Sequence, residues 1–401
     1  MRAEERFRRS MEKTEEIYYE DVHQMDFTAA VLSCVPGPAS GTYRAVLNRT
    51  AFFPEQGGQN ADRGTLGDAR VLDVHIRDGI ITHTIDRPLV PGESVRGSVD
   101  WERRFDFMQQ HTGEHMFSGI ACRLFHVNNV GFHLGETETQ VDFDGALTAE
   151  DVSRIEEEVN RAVWRDILVK CWFPPEDLLK TLKYRSKLDL TEGVRIVSIP
   201  GVDDCACCAP HVDSTGQVGI LKVLDRISYK GGVRLHLACA GRALRDYGGK
   251  QERGEKISKL LSVPQNGIDA AVERLLLKES ELEGKISALT EKLLEEEASA
   301  LPAPEVSPDA LLFTEGADQN TMRRLVNRLM ERYPGYSAVF SGGGPDGYRF
   351  ILGSLRQDCM AAAAVLRKKG FRCGGESRLI QGGTRSDEAG IREAVASLPG
   401  A

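Results

Sequence analysis

The chain has 401 residues, with 51 Lys and Arg against 60 Asp and Glu and a formal net charge of −9. That length exceeds one ordinary core, so two to four domains are expected. The charge excludes a global attraction to nucleic acid and leaves any RNA contact to local basic patches.

No apolar run approaches a bilayer span. The charged N-terminus lacks the apolar core of a secretion signal, and residues 1–10 read as an extension without function. Nine cysteines, three of them crowded at Cys205, Cys207 and Cys208, fit metal ligation in a reducing cytosol better than a disulfide framework. A cytoplasmic protein without membrane attachment is expected.

Residues 1–95 read as short strands broken by turns, among them Phe27–Leu32 and Ala69–Ile76. This is the pattern of a small barrel. Between these strands lies Phe52-Phe53-Pro54-Glu55-Gln56-Gly57-Gly58-Gln59, where glycine permits positive φ or close backbone approach. Residues 96–248 alternate helices and strands, implying an α/β core within an α+β chain. A helix over 100–127 and another over 149–165 are predicted, with strands at Gln140–Phe143 and Val194–Ile199. A hairpin of Gly219–Ile227 with Val233–Cys239 turns across Tyr229-Lys230-Gly231-Gly232.

Residues 249–300 form a helical linker. Ile268, Val272, Leu275, Leu282, Ile286, Leu289 and Leu293 follow a heptad broken only at Glu279. The pattern fits one long amphipathic helix or a helical hairpin, as a spacer or a dimer seam. Leu301-Pro302-Ala303-Pro304 then punctuates a boundary. Residues 301–401 read as a further α/β unit, including Ser341-Gly342-Gly343-Gly344 and the glycine cluster Gly374–Thr384. That cluster is either a mobile loop or a place for a phosphate backbone to approach main-chain amides. Basic patches at Arg103-Arg104, at Arg323, Arg324, Arg328 and Arg332, and at Arg367-Lys368-Lys369 read as solvated helix faces.

Two distant clusters carry metal-ligand spacing. In Gln110-His111-Thr112-Gly113-Glu114-His115 the two histidines share one helix face, one turn apart. Cys207-Cys208-Ala209-Pro210-His211 adds a thiolate and a third imidazole on a loop, since Pro210 argues against a helix. Nitrogen and thiolate donors favour one Zn2+ over magnesium or calcium. His111, His115, Cys207 and His211 are the ligands by spacing, with Cys208 an alternative sulfur. Four protein ligands describe a structural staple; a catalytic role requires an open position for water or a substrate amine.

The order of these motifs resembles the alanyl-tRNA editing proteins, and more closely the long form of the AlaX family, from about Glu15 to the C-terminus. The features that carry it are Phe-x-Pro-Glu-x-Gly-Gly-Gln, His-x-x-x-His, Cys-x-x-x-His followed by Val and Thr-Gly-x-x-Gly, a coiled helix and a glycine-rich tail resembling the DHHA1 RNA-binding domain. The resemblance implies hydrolysis of tRNA(Ala) esterified with a wrong amino acid, chiefly serine and also glycine. The family's zinc ligands fall on His111, His115, Cys207 and His211, and its glycine-rich barrel motif on Gly57, Gly58 and Gln59. The residue reading the serine hydroxyl falls on Asn129 in Val127-Asn128-Asn129-Val130-Gly131-Phe132-His133. Where the synthetase carries Cys-Gly-Gly-Thr-His, this chain has Cys-Cys-Ala-Pro-His. tRNA(Ala) is the implied partner, and a homodimer through the helix and C-terminal domain is compatible with the heptad.

Other readings are weaker. About 110 residues before His111 are too few for an aminoacylation domain. A threonyl-type editing domain acting on Ser-tRNA(Thr) shares the metal motifs but not the Gly57-Gly58-Gln59 barrel. A metalloprotease needs Glu directly after the first histidine, where Thr112 stands. A DHH phosphodiesterase needs an Asp-His-His that the chain lacks. A non-catalytic, zinc-stapled RNA-binding protein is the alternative from a different class.

Overall fold

The computed structural model describes residues 13–186, 193–343 and 346–400. The expectations for residues 1–10 and for Gly344 lie outside the described residues. The chain divides into two compact units, Met1–Glu255 and Lys256–Ala401.

The first unit begins with a closed six-stranded barrel. Its strands are β1 (Asp26–Pro36), β2 (Tyr43–Leu47), β3 (Gly64–Leu66), β4 (Ala69–Arg77), β5 (Ile80–Ile85) and β6 (Ser94–Val99), in the order β1-β2-β5-β4-β3-β6. Strand β1, flagged in sequence by its β-rich composition, puts Phe27, Ala29 and Val31 inside. In β4 the inward parity changes across a bulge between Val71 and Asp73, so Val74 also points into the core. Phe52, Phe53 and Leu66 complete that core.

Helix α1 (Trp101–Phe125) follows directly. Asp100 caps it by accepting from the Arg103 N–H at 3.2 Å, and the chain leaves it at His126 with φ 56°. Nearly every residue from Phe107 to Ala121 is buried. The helix therefore runs through the unit with no solvated face, which a sequence stripe cannot announce.

Helix α2 (Ala149–Trp164) opens with a capping box between Thr148 and Asp151. The remaining strands are β7 (Asn129–Leu134), β8 (Thr139–Phe143), β9 (Lys170–Trp172), β10 (Ile196–Ile199), β11 (Asp203–Ala206), β12 (Leu221–Tyr229) and β13 (Gly232–Cys239). They form a four-stranded sheet β12-β13-β8-β7 and a three-stranded sheet β9-β10-β11. Lys230 at φ 47° and Gly231 at φ 83° give the tight turn expected between β12 and β13. Strand β11 has no counterpart in the sequence reading.

Helix α3 (Ala240–Leu261) carries the boundary between the units. After Pro264, helix α4 (Ile268–Ser299) runs unbroken for 32 residues. Glu279 interrupts the heptad but not the helix, so a hairpin within 268–293 is excluded. The second unit holds β14 (Ala310–Thr314), β15 (Ser337–Gly342), β16 (Tyr348–Gly353), β17 (Arg372–Gly375) and β18 (Leu379–Thr384), in the order β14-β15-β16-β18-β17. Helices α5 (Gln319–Arg332), α6 (Cys359–Lys368) and α7 (Glu388–Ala396) complete it.

Two sequence expectations are corrected. The Gly374–Thr384 cluster lies largely within paired strands: a Cβ on Gly382 would meet the Arg372 carbonyl oxygen at 2.0 Å, so glycine serves the close approach of β17 and β18. The Arg103-Arg104 patch is not a solvated face. Arg104 is 1% exposed and is spent on Asp62 and on the Val22 and Ala51 carbonyls, while Arg103 reaches Glu136. Arg324 and Arg328 pair with Glu291 and Glu295 of α4. Among the described residues no helix is long and apolar enough to cross a membrane.

Candidate metal centre

Helix α1 presents His111 and His115 on one face, and the loop after β11 brings Cys207 and His211 to them. One ligand atom from each residue lies within 4.8 Å of those from the other three. Cys207 Sγ is 3.6 Å from His111 Nε2 and 3.4 Å from His211 Nε2. A tetrahedral zinc with Zn–S of about 2.3 Å and Zn–N of about 2.0–2.1 Å sets sulfur–nitrogen separations near 3.6 Å. The donor set and its spacing therefore fit a metal ion. Cys208, the alternative sulfur, lies instead against the barrel turn, 3.3 Å from where a Cβ on Gly57 would stand.

Two of the three histidines are hydrogen-bonded from behind through Nδ1, and the third faces a carboxylate. His111 Nδ1 lies 2.8 Å from Gln59 Oε1, and His211 Nδ1 lies 3.0 Å from Thr112 Oγ1. His115 Nδ1 faces Asp203 Oδ2 at 3.4 Å. An acceptor at Nδ1 fixes the tautomer that leaves Nε2 as the ligating nitrogen. Asp203 is in turn gripped by Arg185 through two 2.7 Å bonds. Burial favours the protonated carboxyl, but the bonds from Arg185 and His115 outweigh it and hold Asp203 below the usual carboxylate range.

Burial is also the main reason His211 stays neutral, well below its ordinary pKa, with His115 and His111 adding to it. Burial, with Cys208 beside it, keeps Cys207 well above its ordinary value. A cation among these donors reverses the preference at Cys207, so metal uptake releases a proton there.

Gln59 is fully buried. Its Nε2 has no hydrogen-bond partner among the described residues, so what holds a glutamine in this apolar place is the acceptor it offers His111. Gly57 at φ 63° and Gly58 at φ 83° shape the turn that carries it. That turn docks on β7: the Leu134 N–H donates to the Gly58 carbonyl at 2.7 Å, and Phe132 covers the His111 ring at a centroid distance of 4.7 Å. The Cys207 loop is pinned by Arg195, whose Nη1 donates to the Cys207 and Ala209 carbonyls at 3.0 and 2.8 Å.

The cluster opens into a cleft of about 1070 Å³ whose lining includes Gly57, Gly58, Glu114, Asn129, Tyr184 and Cys207. The structure thus gathers seven of the eight sequence-derived site residues at the cleft or the metal cluster, with Gln59 directly behind. Asn129 donates through Nδ2 to Glu114 Oε1 at 2.5 Å and to Ser118 Oγ at 3.2 Å, while its Oδ1 accepts from the Gly131 N–H at 3.1 Å. Sequence reasoning missed Thr112, Asp203, Arg185, Arg195 and Glu114. Their available signal was weak: a charged residue at the edge of an apolar strand, or a polar one inside a buried helix.

Comparison with known proteins adds two family models. The one described as tRNA synthetases class II (A) matches residues 3–103, and the threonyl and alanyl tRNA synthetase second additional domain matches residues 194–259. An alanine–tRNA ligase of Pyrobaculum neutrophilum is 30% identical over 408 residues, covering 96% of this chain and 44% of the ligase. An alanyl-tRNA editing protein of Mus musculus is 37% identical over 220 residues, covering 51% of this chain and 53% of that protein. The chain thus spans about half the length of the curated relatives it matches, or less. Among solved structures, the C-Ala domain of Aquifex aeolicus alanyl-tRNA synthetase is 20% identical, with 22% of this chain and 91% of that chain covered and a TM-score of 0.19.

Proposed function

We infer that this chain, an AlaX-like relative of the alanyl-tRNA editing proteins, is an aminoacyl-tRNA deacylase. Its substrate is mischarged tRNA(Ala), chiefly the seryl ester and secondarily the glycyl ester. The observation that carries the reading is a four-ligand cluster opening into a cleft large enough for an aminoacyl-adenosine end. The need is chemical: a small apolar pocket rejects an added hydroxyl poorly, so serine enters an alanine site and a second site must remove it.

Zinc is the ion the donors favour, held by His111, His115, Cys207 and His211. When bound it supplies a fixed positive charge that positions the aminoacyl group and polarises its ester. The chain's own residues do the rest. Gln59, Thr112 and Asp203 orient the three imidazoles. Gly57 and Gly58 let the barrel turn close over the cluster, with Phe132 excluding water from His111. Asn129, held at both ends of its amide, is the polar reader of the serine hydroxyl. Ser118 donates to Glu114 but is 1% exposed and does not line the cleft, so it is not placed to attack a bound ester. Attack therefore falls to an ordered water, assisted by the hydroxyls of the terminal ribose.

The second unit is read as a DHHA1-like grip on the tRNA body, and α4 as the seam of a homodimer. Leu275, Leu282, Ile286, Leu289 and Leu293 are each between 47% and 68% exposed, while Leu294 on another face is buried against its own unit. With β-branched Val272 and Ile286 at two of the four a positions, beside Glu279 and Leu293, and leucine at three of the four d positions, after Ile268 at the first, a two-stranded parallel pairing is favoured. In that pairing Lys278 meets Glu283 and Lys292 meets Glu297 of a second copy, whereas an antiparallel pairing sets like charges together.

Single-turnover incubation with Ser-tRNA(Ala) tests the reading: free serine should appear, and Cys207→Ala should abolish its release. Four protein ligands also describe a closed structural site. In that second reading the protein binds tRNA(Ala) and leaves the ester intact.

A further inference from the structure

Glu114 lies one residue before His115 on α1 and plays no part in the metal set. It is 4% exposed and lines the cleft. Its Oε1 accepts from the Ser118 hydroxyl and from Asn129 Nδ2. Its Oε2 takes no hydrogen bond from the described residues and is open to the cleft. No basic side chain among the described residues lies within ion-pair distance of it. Arg185 is close enough to feel its charge, but both the Nε and Nη2 of Arg185 are committed to Asp203.

A carboxylate largely shielded from water and without a basic partner is costly to keep charged, and a cation that meets its free oxygen offsets that cost. Here two neutral donors fix the orientation of the group and leave one oxygen free beside the ligand cluster. An amino acid in ester linkage carries its own cation, the α-ammonium, one carbon from the scissile carbonyl.

We propose that Glu114 is the specificity residue for the α-ammonium of the esterified amino acid, clamping it through Oε2 while Asn129, oriented by the same carboxylate, reads the side chain. This rests on the deacylase reading and extends it. It makes the site selective for aminoacyl esters over esters of hydroxy acids. It also gives a partner to the Glu114 oxygen that faces the cleft beside the ligand cluster.

The test is a chemical double-mutant cycle. Ser-tRNA(Ala) is compared with the glyceryl ester obtained from it by nitrous-acid deamination, which puts a hydroxyl in place of the ammonium. The zinc-loaded wild-type chain should prefer the seryl ester by at least about tenfold in kcat/KM, the scale of one charge-assisted hydrogen bond. Glu114→Gln keeps an acceptor for Ser118 and Asn129 and removes the charge. It should act on the two esters within about threefold of each other while binding zinc as the wild type does.

Equal loss on both esters in Glu114→Gln overturns the proposal, because Glu114 then only supports the helix or Asn129. A wild type that hydrolyses both esters equally overturns it without any variant. A wild type that hydrolyses neither ester refutes the deacylase reading itself, a result distinct from both.

Discussion

Replacing Gly58 by alanine separates two reasons for a glycine. Gly41, in the turn between β1 and β2, and Gly58 both have left-handed backbones, at φ 76° and 83°. An alanine at either position is strained by about 1–2 kcal/mol. At Gly41 the added Cβ meets nothing within 4 Å, so that strain is the whole effect. At Gly58 the Cβ lands 2.7 Å from the Phe132 carbonyl oxygen and 3.0 Å from Phe132 Cδ1. The turn cannot retreat without breaking the 2.7 Å bond from the Leu134 N–H, so overpacking adds about 1–3 kcal/mol. At about 2–4 °C per kcal/mol for a unit of this size, Gly58→Ala should melt several degrees below Gly41→Ala. It should also retain less metal, because Phe132 is driven toward His111. Thermal melts by circular dichroism with parallel zinc analysis decide the matter. A Gly58→Ala protein that melts with or above Gly41→Ala refutes the docking of the barrel turn on β7.

Three further outcomes follow from other parts of the molecule. Burial, partly offset by the Ala45 carbonyl, pushes the His83 pKa down to about 4. The unfolded chain then takes up the proton first: stability is unaffected above about pH 6.5 and falls by about 3 kcal/mol as pH drops from there toward 4. His83→Gln should flatten that slope in urea melts, and an unchanged slope would show that another group carries it. Metal analysis should find near-stoichiometric zinc in the wild type and in Cys208→Ala but little in Cys207→Ala; the reverse order would place the wrong sulfur at the centre. Glu279 occupies an a position of the α4 seam, so Glu279→Leu should tighten self-association at least about tenfold in sedimentation equilibrium, whereas a chain that stays monomeric in both forms has no such seam.

The candidate metal cluster was legible because each pair is local. His111 and His115 sit one helical turn apart, Cys207 and His211 share one loop, and only the joining of the pairs needed the fold. The barrel was legible from the β-rich composition of β1 and the alternation in β4, with glycines between. What holds the site was not. Asp62 and Arg104 lie 42 positions apart, and nothing in either local sequence distinguishes a buried ion pair from a solvated face. Asp203 and Arg185 act through His115, and a polar, cysteine-containing β11 reads as loop. Glu114 is hidden by the same burial that makes it informative, since α1 has no exposed face against which an inward carboxylate stands out. The glycine tail misled for a related reason. Close strand approach and close ligand approach both demand the absence of a Cβ, and the sequence signal for them is identical.

The activity proposed for this cleft is opening the ester of tRNA(Ala) that carries the wrong amino acid. Purified zinc-loaded chain should be mixed with Ser-tRNA(Ala) and Ala-tRNA(Ala) in separate single-turnover reactions, each with and without prior removal of the metal by a chelator. A buried polar reader that finds or loses its partner shifts binding by about 1–3 kcal/mol, so the seryl ester should be hydrolysed at least about tenfold faster. The activity should vanish on chelation and return with zinc. Equal hydrolysis of the two esters, or seryl hydrolysis that persists after the metal is gone, would contradict that activity.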